Sequence, residues 1–187
     1  AQSHIGLARA LAKDPKMRQR RRSIITAPAQ VRSVGEAVFA AEDLHSIAKA
    51  QAESQSEERN AREKAELMRQ LGMEEGQTPA SHQRARIREL EDEQKRRSKR
   101  AIQDALDRAL VDLLGIYRDV LMRQLGSDQE PINDDCVDLI EELATHSTPQ
   151  QTMTRVQAIE EARKRLTTNM SVPLILEAMT LSLRPQV

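Results

Sequence analysis

A chain of 187 residues has room for one medium-sized domain, or for a small domain and a fragment of another. Its 29 Lys and Arg residues balance its 29 Asp and Glu residues, which excludes the strong basic surplus of a dedicated nucleic-acid-binding protein. Aromatic residues make up only 1%, and helix-forming residues such as Ala, Leu, Arg and Glu dominate, so the predicted fold class is all-α. The single cysteine, Cys136, excludes an internal disulfide and indicates a reducing, cytoplasmic location.

The start of the chain predicts two short helices and a longer parent protein. The sequence opens on Ala1 without a signal peptide or an apolar run of about 18 residues, so we expect a piece of a longer protein with no membrane contact. Residues 3–12 predict a helix capped by Ser3. Asp14 and Pro15 then predict the start of a second helix, which Pro28 ends.

The middle of the chain predicts two long helices. Ser33 and Glu36 have the spacing of a capping box, so a helix is expected to begin there. Its inward residues are predicted to be Val38, Ala41, Leu44 or His45, Ala48 and Ala52. The sequence then becomes charged, and a linker is predicted at 72–81. Residues 82–125 predict one helix that is charged up to Arg100 and apolar from Ala101 onward.

The last third of the chain predicts three more helices. The first covers residues 134–145 and is expected to bury Cys136, Val137, Ile140, Leu143 and Ala144. A second capping box at Thr148 begins a helix that ends near Thr168, with Met153, Val156, Ile159, Ala162 and Leu166 inward. The final helix begins at residues 171–173. Apolar residues cover most of its circumference, which predicts burial on several sides, in a bundle centre or a subunit interface.

No motif in the sequence predicts catalysis or a metal site. Glycine-rich phosphate loops, nucleophile elbows and paired-cysteine or paired-histidine zinc motifs do not occur. Glu42 and His45 form one E-x-x-H pair, but a di-metal bundle requires a second pair and further inward glutamates. We therefore predict neither nucleotide hydrolysis nor a metal or other cofactor for this chain.

Two basic clusters are candidates for contact with phosphate groups. Residues 95–100 form the denser cluster, but Glu89, Glu91, Asp92 and Glu93 precede it and offer partners one helical turn away. That arrangement favours a solvated face whose charges are paired locally. The second cluster consists of Arg18, Arg20, Arg21 and Arg22. It has few acidic neighbours in sequence, so it is a candidate surface for DNA or a partner subunit.

Three stretches, taken in order, resemble one known family. Residues 3–9 (Ser-His-Ile-Gly-Leu-Ala-Arg) are similar to a sensor-2 helix of an AAA+ lid, and residues 110–121 contain a Tyr-Arg-Asp core at 117–119. Residues 169–183 end the series with Pro-Leu-Ile-Leu-Glu-Ala-Met at 173–179. Together they resemble the C-terminal part of the δ′ (delta prime) subunit family of the bacterial DNA polymerase III clamp loader, in its actinobacterial form. Ser171 replaces the usual cap residue Asn, and is expected to cap the last helix equally well.

The resemblance implies a domain plan and a set of site residues. Residues 1–30 would end an AAA+ lid, and residues 31–187 would form a helical collar domain with a charged insertion at about 53–100. The sensor-2-like residues would be Ser3, Ile5, Gly6, Ala8 and Arg9. Gly6 stands where active subunits place an arginine, which implies that this subunit does not sense ATP. Subunit-interface candidates in the collar are Tyr117, Leu121, Leu174, Ala178 and Leu181.

The resemblance also implies partners. A δ′ subunit assembles with γ/τ and δ subunits into a pentamer that loads the sliding clamp on primed DNA, as part of the DNA polymerase III holoenzyme. The family's zinc module and AAA+ core would belong to a preceding part of the protein. Two alternatives stay open at this point: a fragment of the γ/τ ATPase, which would carry an arginine in place of Gly6, and an unrelated helical scaffold or adaptor.

Overall fold

The computed structural model describes residues 9, 12–73 and 78–185, except for the side chains of Lys16, Met17 and Arg20. These residues form helices and no strand, which confirms the all-α fold class. The elements are α1 (Pro15–Ala29), α2 (Val34–Gln70), α3 (Ser81–Gln124), a 3₁₀ turn (Asp134–Cys136), α4 (Val137–Thr145), α5 (Pro149–Leu166) and α6 (Val172–Leu183). Within this described part, no helix is apolar over a length that would cross a bilayer.

The chain forms two compact units. One unit consists of residues 1–45 and 107–187, and the other of residues 46–106. The long helices α2 and α3 each contribute to both units. The charged segment predicted at 53–100 lies in the second unit. The predicted boundary between a lid and a collar near residue 30 stays a prediction.

The core of the first unit is built from α1, the start of α2, the second half of α3 and α4–α6 around an aliphatic interior. Helix α5 packs along α6, and α1 also contacts α6. Fully or almost fully buried side chains include Ile25, Leu110, Leu113, Ile116, Val120, Ile159, Ile175, Leu176 and Leu183. Burial of each such side chain contributes about 1.5–3 kcal/mol. At the edge of this core, the guanidinium of Arg163 on α5 donates to both oxygens of Asp107 on α3, at 2.7 and 3.1 Å.

Both predicted capping boxes begin helices. The backbone N–H of Gln151 donates to Thr148 Oγ1 at 3.3 Å, and the backbone N–H of Thr148 donates to Gln151 Oε1 at 2.9 Å, which completes a reciprocal box. At the start of α2, the backbone N–H of Glu36 donates to Ser33 Oγ at 3.2 Å. The Glu36 carboxylate accepts from the N–H of Arg32 at 2.8 Å, and this bond lowers the pKa of Glu36. The box at Thr148 is therefore complete, whereas only half of the predicted box forms at α2, because Glu36 accepts from the N–H of Arg32 and not from that of Ser33.

The prediction that Val38 points inward is wrong. Val38 is 40% exposed, whereas Ala37, one residue earlier, is buried together with Ala40 and Val31. The small side chains of Ala37 and Ala40 let α6 approach closely, and the hydroxyl of Thr180 donates to the carbonyl of Ala37 at 2.8 Å. The buried stripe of α2 therefore begins with Ala37 and not with Val38, while Ala41, Leu44, Ala48 and Ala52 are buried as predicted.

Two further predictions of inward-facing residues, Met153 and Val137, are wrong. Met153 is 39% exposed because polar residues, Thr152 and Arg155, occupy the inner face of α5. Val137 is 40% exposed because it is the first residue of α4 and lines a shallow surface cleft of about 130 Å³. In both cases the side chain is apolar but lies on the solvent-facing side of its helix, so hydrophobicity alone predicted the wrong orientation. Pro28 does not stop α1 outright, since the helix extends one residue further to Ala29.

The second unit is a helical hairpin with little apolar interior. No described residue between 53 and 104 is buried. Polar bonds join the two arms: the amide of Gln94 donates to the carbonyl of Asn60 at 3.1 Å, and Lys64 Nζ lies 3.3 Å from a Glu91 carboxylate oxygen. Residue numbers rise along one arm as they fall along the other, so the arms are antiparallel.

One ion pair dominates this hairpin. The Arg97 guanidinium donates to both carboxylate oxygens of Glu63, with one N–O distance of 2.8 Å. The hydrogen bonds from Arg97, with further ones from Arg59 and Gln94, lower the pKa of Glu63 to about 2. Charge pairing between the arms therefore takes the place that a hydrophobic core has in the first unit.

Candidate subunit interface

The last helix, α6, has one buried face and one open apolar face. Its buried residues are Ile175, Leu176, Met179, Thr180 and Leu183. On the other side, Leu174 is 60% exposed, Ala178 is exposed, and Leu181 is half-buried. The predicted burial of this helix on several sides is therefore wrong for the chain alone. Its apolar residues include a row that no described residue of this chain covers fully.

Three predicted interface residues form that row. Leu174, Ala178 and Leu181 are spaced four and three residues apart, which places them on one line along a helix. Met170, just before the helix, adds a side chain that is 50% exposed. Leu181 packs at its base against the buried cluster of Val31, Ala37 and Ala40. We call Met170, Leu174, Ala178 and Leu181 the α6 row.

The other two interface candidates lie on α3 and differ in exposure. Leu121 is half-buried. Tyr117 has no exposed surface, so it serves the core of its own chain and offers nothing for a partner to contact. In the sequence, Tyr117 belongs to the wide apolar face of α3, which made it an interface candidate. In the structure, neighbouring helices of the same unit cover this part of the face.

The N-terminus of α6 differs from the prediction in its cap. Ser171 is the N-cap residue, but its side chain makes no capping hydrogen bond. Pro173 occupies the second helical position and has no N–H to donate, which removes one of the two usual donors to such a cap. The helix is instead started by the fixed φ angle of Pro173 and by the bond from the N–H of Ile175 to the carbonyl of Ser171 at 3.1 Å.

A buried polar centre holds the first unit together beneath its surface. Asp119 is 3% exposed, and its Oδ2 accepts from both the backbone N–H and the side-chain amide of Asn133, at 3.0 and 2.8 Å. Its Oδ1 accepts from Arg118 at 2.9 Å. Asn133 in turn accepts from Arg21 at 2.6 Å through its amide oxygen. This chain of bonds joins α1, α3 and the loop before the 3₁₀ turn.

The arginine cluster of α1 does not form the predicted free basic patch as a whole. Arg21 is turned inward: its Nε lies 3.2 Å from Asp112 Oδ1 and its Nη1 lies 3.6 Å from Asp135 Oδ1. Both acids are distant from Arg21 in the sequence, so the residues that neighbour the cluster did not reveal them as partners. Arg18 is exposed and donates to the carbonyl of Ala12 at 3.0 Å, and Arg22 is exposed. The side chain of Arg20 lies outside the described part.

Three buried polar groups in the described part of the first unit have no hydrogen-bond partner. They are the hydroxyl of Tyr117, Nη1 of Arg155, which is itself only 4% exposed, and Nε of Arg21, whose contact with Asp112 is an ion pair without hydrogen-bond geometry. Burial raises the pKa of Tyr117 to about 12, and the positive charges of Arg155 and Arg32 oppose this rise. The phenol is therefore held in its neutral form at every ordinary pH.

The structure describes only some of the remaining predicted site residues. Ser3, Ile5, Gly6 and Ala8 lie outside the described residues, and Arg9 is exposed. Cys136 is buried and free, as predicted, and burial raises the pKa of its thiol. Among the described residues, no three His, Cys, Asp or Glu side chains cluster in a way that would hold a metal ion.

Comparison with known proteins identifies the family. Residues 85–184, just over half of the chain, match the family model described as DNA polymerase III, delta subunit, C terminal. The chain belongs to this family. It is also 39% identical over 72 residues to DNA polymerase III subunit delta′ of Bacillus subtilis (strain 168), a match that covers 38% of this chain. The resemblance to the C-terminal part of a δ′ subunit is confirmed.

Both matches cover only part of the sequences that they compare. The match to the Bacillus subtilis protein spans 22% of that protein's length. The family match includes the Tyr-Arg-Asp core at 117–119 and all of α6, and thus the α6 row and the polar centre around Asp119. It begins in the second arm of the hairpin and does not reach residues 1–30. No solved structure matches the chain.

Proposed function

We propose that this chain is the subunit-binding, collar-like domain of a clamp-loader subunit, and that the α6 row is part of the surface by which it holds its neighbours. The partners would be the γ/τ and δ subunits. Through the assembled complex the protein would serve the loading of the sliding clamp on primed DNA. Its own contribution is structural and needs no bound nucleotide.

The observation that carries this proposal is the open apolar face of α6. A helix whose other face is fully packed, and whose solvent side still presents two large aliphatic residues and an alanine in line, has the composition of the centre of a protein interface. The α6 row also lies inside the stretch that matches the family. The family membership, in turn, makes an unrelated scaffold unnecessary as an explanation.

Leu174 is the residue that tests the α6 row most cleanly. Leu174→Asp is expected to weaken assembly with γ/τ and δ subunits by about 100-fold, because a carboxylate would have to be buried without a partner at a hot-spot position. The measurement is titration of the labelled protein with γ/τ and δ, followed by analytical ultracentrifugation. Leu181 is a poorer choice, since its packing on Ala37 and Ala40 makes an Asp there disruptive to the fold.

Leu125 provides the matched control. It is 66% exposed, like Leu174, but lies just after α3 and away from the α6 row in sequence. Leu125→Asp introduces the same charge and is expected to leave assembly unchanged. Equal loss of assembly in both variants, with normal circular dichroism, would show that the α6 row has no special role.

A further inference from the structure

The acidic residues of α3 between residues 84 and 100 are all engaged, whereas the next one, Asp104, is exposed and forms no ion pair with a described residue. Glu89 lies 3.4 Å from Arg86, Glu91 lies 3.3 Å from Lys64 on the other arm, and Asp92 lies 3.9 Å from Lys95. Glu93 interacts electrostatically with Arg97, whose pKa is raised mainly by its hydrogen bonds to Glu63. No acidic charge in this stretch is therefore left over to balance the remaining arginines and lysines.

Five cations on the same helix are unbalanced. All are exposed, and none forms an ion pair with a described residue: Arg84, Arg88, Arg96, Lys99 and Arg100. The sequence predicted local pairing for the cluster at 95–100, and that prediction fails for three of its members. The acids that were expected to pair with them interact with Arg86, Lys64, Lys95 and Arg97 instead.

These five cations share one side of the helix. At 100° per residue they occupy the half of the helix that faces away from Gln94 and Arg97, two of the residues that bond to the other arm. From Arg84 to Arg100 the row extends about 24 Å at 1.5 Å per residue. We call Arg84, Arg88, Arg96, Lys99 and Arg100 the α3 cation row. The five side chains spread over about 160° of the helix circumference. This broad face also carries Glu89 and Asp92, but both are ion-paired with other residues, so the face retains a surplus of positive charge for a long, uniformly negative ligand.

The surroundings of the row decide which polyanion fits. The two aromatic residues of the chain, Phe39 and Tyr117, both lie outside the hairpin, so bases of a single strand have no side chain to stack on. No large apolar side chain is exposed between residues 84 and 100, which removes the means to insert into a lipid surface. A phosphate backbone is the ligand that matches a surface with unpaired cations and without exposed aromatic or large apolar side chains. We propose that the α3 cation row binds the phosphate backbone of duplex DNA, independently of the collar proposal.

The salt dependence of binding follows from the number of cations. Five phosphate contacts give a slope of about −4.5 for log K against log salt concentration. Binding should therefore weaken about 500-fold between 50 and 200 mM salt. Without base contacts, affinity should not depend on sequence, and every contact removed should reduce the slope by about one.

The experiment uses the whole protein and a fluorescein-labelled 20-base-pair DNA duplex, with anisotropy measured from 50 to 200 mM NaCl. The triple variant Arg96→Gln, Lys99→Gln, Arg100→Gln is expected to reduce the slope to about −2. The control is Lys49→Gln, Arg62→Gln, Arg69→Gln, which removes three exposed cations that pair with glutamates of α2. Both variants change the net charge by the same amount, and the control is expected to keep the wild-type slope.

Several results would overturn the proposal. One is the absence of duplex binding by the wild-type protein at 50 mM salt; another is an equal effect of the two triple variants. Tighter binding of a single-stranded 20-mer or of a duplex RNA of the same sequence would contradict the choice of duplex DNA. Competition by polyglutamate at the same charge concentration, as effective as by unlabelled duplex, would mean an acidic protein partner instead.

Discussion

Replacing Asp119 by alanine is expected to lower the free energy of unfolding by about 3 kcal/mol, because the buried donors that it serves lose their acceptor. Asp119 Oδ2 accepts two hydrogen bonds from Asn133, and Asn133 holds Arg21. Without the carboxylate, the backbone N–H and the amide of Asn133 are buried with nothing to donate to. The loss should appear as a lower urea midpoint in circular dichroism, with an unchanged m value.

Two variants separate this network from a general effect of charge. Asp119→Asn retains an oxygen that accepts from Asn133, so its loss of stability is expected to be clearly smaller than that of Asp119→Ala. Asp128→Ala removes an exposed carboxylate and should change stability by no more than about 0.5 kcal/mol. If Asp119→Ala behaves like Asp128→Ala, the polar centre does not hold the loop as described.

Alkaline pH is expected to destabilise the fold through ionisation of Tyr117, the single tyrosine of the chain. Burial raises the pKa of this phenol to about 12 in the folded protein, from the ordinary pKa of 10.0 for an exposed tyrosine. Between these two values the unfolded chain releases a proton that the folded chain retains. Stability is therefore full below about pH 10 and falls by up to about 3 kcal/mol as the pH rises to about 12.

Absorbance at 295 nm follows ionisation of the single tyrosine directly. We expect a midpoint near pH 12 in the folded protein and near pH 10 in concentrated urea. Tyr117→Phe should remove the tyrosine part of the alkaline loss. It should cost little at pH 7, because the hydroxyl has no hydrogen-bond partner in the described structure. A folded-state midpoint near 10 would mean that the phenol is open to solvent.

The sequence was sufficient to predict the helices, because their starts and ends depend on local chemistry. Thr148 and Gln151 satisfy each other's backbone groups wherever the rest of the chain lies, and Ser33 accepts from the N–H of Glu36 at the start of α2. The break at 72–81 and the uninterrupted run of α3 also followed from residue type alone. Each of these features is decided within one or two turns of helix.

The faces of the helices and the polar centre depend on contacts across the fold, which a single sequence does not reveal. Ala37 is buried instead of Val38 because α6 requires a close approach. Arg21 binds Asn133, which is 112 residues away in the chain. One signal was present in the sequence: Asp119 interrupts an apolar stripe. An acidic residue at such a position indicates a buried acceptor that serves a distant loop.

The mass of the complex formed with γ/τ and δ subunits tests the central claim most directly. The protein is mixed with both subunits, separated by size-exclusion chromatography, and weighed by light scattering. We predict one peak that contains all three proteins, at the mass of a complex with a single copy of this chain. Elution of this chain alone, with its helical circular dichroism intact, would contradict its assignment as a subunit-binding domain.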